Sequence, residues 1–165
     1  MEKSGMAASA AMDQFDKSMK KQIEAIARVL HLVKSYKEDC ISCKIDEGLY
    51  LGSVGAATNK FALKKFNITH ILTVAGKLPP AHPGDFVYKV IDARRHGGGV
   101  LVHCFAGRSR SVTVIVAYLM KTRGMCFSEA LRYVESKRPA ASPNRGFIDQ
   151  LKDFEKSLQG APKLH

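Results

Sequence analysis

His103-Cys104-Phe105-Ala106-Gly107-Arg108-Ser109-Arg110-Ser111 is the stretch that decides the fold. It follows the apolar run Val100-Leu101-Val102 and leads into a helix-compatible segment, so it reads as a strand, a tight loop and a helix. The backbone N–H groups of Phe105, Ala106, Gly107, Arg108 and Ser109 can turn inward over one tetrahedral oxyanion, and the helix that follows points the positive end of its dipole at the same spot. A phosphate group fits such a cradle. Cys104 at its rim is expected to be a thiolate near neutral pH, and therefore a nucleophile rather than a packing residue. Arg110 lies at the mouth of the helix, where a guanidinium grips two phosphate oxygens at once and a lysine could not.

Outward from this loop the chain alternates between strand and helix patterns. Strands are expected at Leu49–Leu51, Ile68–Val74, Phe86–Ile91 and Val100–His103, with a short helix at Asn59–Phe66 between the first two. Three helices follow: Ser111–Arg123, stopped by Gly124; Ser128–Ser136, with Ser128 as N-cap; and Asn144–Leu158, with Ser142-Pro143 before it. Such alternation predicts an α/β fold, a central mixed, mostly parallel sheet flanked by helices, which places ligands at the carboxyl ends of its strands. The cysteine loop is at such an end.

The pattern H-C-x-x-G-x-x-R-S resembles the signature of the cysteine-based protein tyrosine phosphatase superfamily. Glu47-Gly48-Leu49-Tyr50-Leu51-Gly52-Ser53, Ile68-Thr69-His70-Ile71-Leu72-Thr73-Val74-Ala75, Ala117-Tyr118-Leu119-Met120 and Ser142-Pro143-Asn144-Arg145-Gly146-Phe147 narrow the resemblance to the small dual-specificity phosphatases. It covers residues 45–158 and implies a protein tyrosine phosphatase-like fold. The implied reaction is a two-step displacement in which Cys104 takes the phosphoryl group from phosphotyrosine, phosphoserine or phosphothreonine and water then releases it. By the same resemblance Arg110 and the loop amides hold the phosphate, and Ser111 helps the thiolate leave. His103 and Asn144 are implied to support the loop, doubly phosphorylated kinase loops such as those of MAP kinases are the implied substrates, and no cofactor or metal is needed.

One departure from the family stands out. The resemblance implies a general-acid aspartate on a loop, followed by a helix, between the strand ending at Ile91-Asp92 and the strand starting at Val100. Here only Ala93-Arg94-Arg95-His96-Gly97-Gly98-Gly99 lies between them. A helical crossover between parallel strands takes at least about 10 to 12 residues. Seven residues reach at most roughly 23 to 25 Å, against roughly 20 Å needed to pass one strand and run back, so the shortened crossover is taut. The general acid is accordingly unassigned, with Asp92 as a weak candidate and Asp85 further away. The chain reads as a form with an internal deletion, and two functions stay open: an active dual-specificity phosphatase, or a catalytically weak isoform that binds phosphoproteins.

Composition fits one small domain. The chain has 165 residues, 45% of them apolar, and a formal charge of +11 from 26 basic against 15 acidic residues. The basic residues are spread, seven against four acidic in residues 1–37 and 19 against 11 in the rest. That spread points to phosphorylated, acidic substrates and not to nucleic acid. No stretch approaches the roughly 20 apolar residues of a membrane span, so no membrane role is expected. Four cysteines, one needed as a thiolate, argue for a reducing compartment, cytoplasmic or nuclear, and the lone pair Cys40-x-x-Cys43 lacks a second set of zinc ligands.

Residues 1–14 are small and polar and are expected to be a disordered tail, and residues 159–165 form a tail at the other end. Over 15–37 the pattern changes: Phe15, Met19, Ile23, Ile26, Leu30 and Val33 recur at helical spacing, with Lys17, Lys20, Lys21, Arg28 and Lys34 largely elsewhere. This is an extra, basic, amphipathic helix. It either packs on the domain or serves as a docking helix for an acidic groove of the calmodulin type.

Overall fold

The computed structural model describes residues 2–76, 78–86 and 98–159. The chain divides into two compact units, Met1–Ser35 and Tyr36–His165.

Helix α1 spans Glu2–Glu38. The expectation of a disordered tail over 1–14 is corrected, because the helix already includes Glu2 to Asp13 and Gln14. Ala7, Ala8, Ala10 and Ala11 supply the reason: alanine is the strongest helix former, and a run of it needs no apolar stripe. Within α1, Phe15, Met19, Ile23, Ile26, Leu30 and Val33 lie on one side, and all are exposed, from 41% at Met19 to 63% at Leu30.

The second unit is built on a four-stranded sheet of β1 (Cys43–Asp46), β2 (Leu49–Gly52), β3 (Ile68–Thr73) and β4 (Gly99–His103), in the order β1-β2-β4-β3. β1 pairs antiparallel with β2, and β4 runs parallel to both of its neighbours. Around the sheet are α2 (Val54–Thr58), α3 (Lys60–Lys65), α4 (Arg110–Arg123), α5 (Phe127–Lys137) and α6 (Arg145–Gln159). The central strands β2 and β4 are buried on both faces, so alternate residues enter different cores. Leu49, Leu51, Val100 and Val102 join Val112, Ile115, Val116 and Leu119 of α4, with Ala130 and Val134 of α5 and Leu151 of α6. Tyr50 and Leu101 face the other way, into a second cluster with Ala57, Leu63, Ile68, Ile71 and Phe86. α4 buries positions 111, 112, 115, 116, 119 and 120, a stripe of helical period, and ends at Gly124 in the left-handed region at φ 65°.

Several boundaries differ from expectation. Cys126, not Ser128, sits at the N-cap of α5, because Glu129 at the third helical position reaches back to accept from the Cys126 N–H at 3.0 Å. The strands and helices predicted at 49–51, 59–66, 68–74, 111–123 and 144–158 stand within a residue or two of those positions. Phe86 occupies a bend, and Val87 to Ile91, the rest of the strand expected there, lie outside the described residues, as do Asp92 and the connection 93–97. Residues 160–165 lie outside them too. The compact unit extends further toward the N-terminus than the 45–158 expected, since Asp39 and Cys43 bind Arg138 of the α5 end.

Candidate active site

β4 ends at His103, between β2 and β3, and the chain turns at once into α4. The turn at 104–110 is held from outside by its carbonyls. Val54 donates its N–H to Phe105 O at 3.0 Å, and Ser142 donates to Arg108 O at 2.7 Å. Between them the Arg138 side chain donates to Gly107 O at 2.7 Å and to Ala106 O at 3.3 Å. Four successive carbonyls therefore face outward, and in trans peptide planes their N–H partners, those of Ala106, Gly107, Arg108 and Ser109, face the other way. The result is a concave ring of amide donors at the N-terminus of α4. Gly107 makes it sterically feasible: its φ is 63°, and a Cβ there would stand 2.5 Å from Gly52 O.

Cys104 lies inside this ring, 2% exposed. Burial pushes its thiol up, but the Ser111 hydroxyl, which donates to Sγ at 3.2 Å, and the amides of Ser111, Gly107 and Arg108 outweigh burial. The thiol ends below its ordinary range, which favours the thiolate. Ser111 is fully buried on the first turn of α4.

His103 is buried, its Nε2 2.8 Å from the Thr73 hydroxyl and its Nδ1 3.3 Å from Cys104 O. Nδ1–H donating to the carbonyl leaves Nε2 to accept from Thr73. Burial lowers its pKa, against the pull of the Cys104 carbonyl, so the ring is neutral near pH 7 and ties the end of β4 to the loop and to β3. Arg110 is the first residue of α4, directly after the loop, and is exposed. Arg108 points away, with Nε donating to Ala140 O at 3.2 Å. Asn144 touches the loop through its backbone: its N–H donates to Ser109 Oγ at 3.1 Å, while its side chain accepts from Phe147 N–H at 2.9 Å and caps α6. Thus α6 is pinned beside the phosphate loop.

Two features escaped sequence reasoning. Arg138 is one, since a lone arginine after a helix reads as surface charge. The other is Asp39, whose carboxylate takes both terminal nitrogens of Arg138. Of the acid candidates, Asp85 is exposed and bridged to Lys60 at 2.8 Å and Lys64 at 3.8 Å. Its hydrogen bond from Lys60 is the main force that lowers its pKa, against an opposing effect of burial. It is held as a carboxylate, the wrong state for a proton donor. No cluster of three or more potential metal ligands occurs among the described residues. Cys40 and Cys43 carry free thiols, and Cys43 Sγ accepts from Arg138 at 3.4 Å.

A buried cysteine sulfur ringed by amides at a strand-to-helix turn, with a hydroxyl on the sulfur and an arginine opening the helix, defines a cysteine-dependent phosphatase site. Residues 84–157 match the model of the dual specificity phosphatase catalytic domain. The chain is 51% identical over 170 aligned positions to dual specificity protein phosphatase 1 of Arabidopsis thaliana, covering 90% of this chain and 86% of that one. Over 139 positions it is 52% identical to phosphatase 1B of the same plant, covering 71% and 83%. Human DUSP28 superposes with a TM-score of 0.65 at 34% identity, over 72% of this chain and 95% of that one. The human tyrosine phosphatase-like serine/threonine/tyrosine-interacting protein gives 0.68 at 31%, over 73% and 99%. The chain belongs to the dual specificity phosphatase family.

The same alignments carry a length difference. The alignment of 170 positions with the first Arabidopsis phosphatase draws on 90% of 165 residues, about 149, so about 21 positions of the relative have no counterpart here. Human dual specificity protein phosphatase 7, aligned over 134 positions with 67% of this chain, about 111 residues, leaves about 23.

Proposed function

We propose that this chain is a dual-specificity protein phosphatase whose nucleophile and phosphate cradle are complete and whose leaving-group protonation is weak. The observation that supports it above all is the buried Cys104 sulfur, hydrogen-bonded by Ser111 within an inward-facing ring of amides. The thiolate attacks phosphorus and the phosphate–oxygen bond breaks. Phosphocysteine forms, with its equatorial oxygens held by the amides and Arg110. Water then attacks phosphorus, and the sulfur leaves as a thiolate steadied by the Ser111 hydroxyl.

The weak step is the first departure, because the leaving oxygen needs a proton. The seven residues from Ala93 to Gly99 and the shortfall of about 21 aligned positions both favour an internal segment missing from this chain, the one that in the family resemblance carries the acid. General-acid assistance is worth about 10²- to 10⁴-fold. An aryl phosphate with a good leaving group barely needs it, whereas a phosphothreonine peptide does. The expected outcome is readily measured turnover of the first and at least 10²-fold lower kcat/KM on the second, roughly the lost acid contribution. Good turnover of both sinks the missing-acid reading, and absence of both with phosphate still raising the melting temperature leaves the phosphoprotein-binding isoform.

Phosphorylated kinase loops are the substrates we favour. One relative, 37% identical, is named MAP kinase phosphatase with leucine-rich repeats protein 3 of Dictyostelium discoideum, though this chain covers only 18% of it. Need for a free thiolate suits the cytoplasm or nucleus. A second reading concerns α1, whose exposed Phe15, Met19, Ile23, Ile26 and Leu30 stand beside Lys17, Lys20 and Lys21. Bulky apolar anchors with basic flanks suit a calmodulin-type groove. A calcium-dependent complex of the full chain with calmodulin at micromolar concentration is the expected result; its absence removes this reading.

A further inference from the structure

Arg138 follows α5 as its C-cap, and its charged side chain is buried, 4% exposed. A guanidinium survives burial only where its charge and its donors are matched. Asp39 supplies the charge, accepting from both terminal nitrogens, one of the bonds at 3.1 Å. Burial works against the charge, but Asp39 and Cys43 restore more than burial removes, and Arg138 stays protonated. Asp39 and Cys43 are the ionisable groups that bind it.

The remaining donors are aimed at the phosphate loop. Nε bonds Gly107 O at 2.7 Å and a terminal nitrogen bonds Ala106 O at 3.3 Å. Those two carbonyls belong to the peptide units whose N–H groups are those of Gly107 and Arg108. The two groups lie on opposite sides of a trans peptide, so holding the oxygens outward turns these N–H groups toward the Cys104 sulfur. Phe105 O and Arg108 O are held by backbone N–H groups, which side-chain replacement leaves in place. Arg138 is thus a side chain through which the inward amides are open to mutation.

We propose that Arg138, anchored by Asp39, is a positioning residue that sets the Gly107 and Arg108 amides facing the Cys104 sulfur and the bound phosphoryl group. The proposal rests on the reading of Cys104 as nucleophile, and it touches neither substrate nor sulfur directly. Losing alignment of two donors weakens stabilisation of the negative sulfur while the thiol form, an inferior acceptor, loses little. The thiol therefore becomes harder to ionise.

The test is the pH dependence of iodoacetamide alkylation of Cys104 in the full chain, for Arg138→Lys and Asp39→Asn. Mass spectrometry of the tryptic peptide His96–Arg108 reads it, since Cys104 is the single cysteine of that peptide. Lysine keeps the charge against Asp39 but lacks the fork that spans the carboxylate and both carbonyls. Asp39→Asn keeps Arg138 and removes the anchoring charge. In either variant the midpoint should rise by about one pH unit, so that alkylation below it slows about tenfold. Thermal melting identifies which variants fold, and one folded variant suffices to decide. An unchanged midpoint in a folded variant overturns the proposal, and so does failure of both to melt cooperatively, for the pair then carries the fold and not the loop. Alkylation requires no turnover. A chain with the midpoint shift but no phosphatase activity would therefore contradict the proposed function and leave the positioning role standing.

Discussion

The phosphate loop and the connection leading into its strand are treated very differently by this chain. Over the loop, four carbonyls in a row are each held from outside, by Val54, Arg138 and Ser142, and the nucleophile has its own hydroxyl donor. The connection has seven residues between Asp92 and Val100, in a chain about 21 aligned positions short of its Arabidopsis relative. In the proposed reaction, anion binding and attack by sulfur rest on one braced turn. Proton delivery needs a side chain brought in by a separate segment. The two halves of the proposed reaction can therefore be tested one without the other.

The largest effect belongs to the braced half. Cys104→Ser removes the nucleophile, since an alcohol in the same ring has no thiolate to offer, and aryl phosphate turnover should fall at least ~10⁴-fold. Phosphate should still raise the melting temperature, because the amides and Arg110 remain. If the variant keeps a tenth of the activity, chemistry is taking place elsewhere in the molecule.

The shape of the pH profile comes next. Cys104 acts as the thiolate, and its pKa is lowered, its donors having overcome burial. At saturating aryl phosphate, kcat should climb about tenfold per pH unit below the pKa of the Cys104 thiol in the substrate complex, level off above it, and not fall again on the alkaline side. A descending limb would report an acid that must stay protonated. Finding one would erase the contrast between the two halves.

Much of this arrangement was readable from residues 100–111 alone. Three apolar residues, a cysteine, a glycine four positions on from the histidine and an arginine before a helical stripe are a local pattern, and local patterns survive in sequence. The fold around it was legible wherever a core stripe was long enough, as in α4 and α6. The short elements β1 and α2 were not foreseen. α2 has only five residues, Val54-Gly55-Ala56-Ala57-Thr58, too few to show a helical period, and it exists because Ser53 caps it by accepting from Gly55 N–H at 3.1 Å. The Asp39–Arg138 pair was invisible for another reason: 99 positions separate partners whose meeting depends on the finished sheet. The exposed stripe of α1 shows the limit from the other side, since periodicity announces a helix without saying what covers its face.

The smallest expected effect is the most discriminating. Asp85 is one of the two carboxylates considered in place of the acid, and it is exposed between Lys60 and Lys64. The Lys60 hydrogen bond holds its pKa below the ordinary carboxylate value, so above that pKa it carries no proton, and the fraction able to donate near pH 7 is smaller than for a free aspartate. Asp85→Asn should therefore leave kcat on both aryl phosphate and phosphothreonine peptide within about twofold, as for a surface change away from the reacting atoms. The salt bridges it loses are solvent-exposed and contribute little. A drop confined to the phosphothreonine peptide would be a different matter, because only a leaving group that needs a proton would notice the change. Asp85 would then be the donor despite its lysine partners, and the short connection after Asp92 would no longer explain a weak first step.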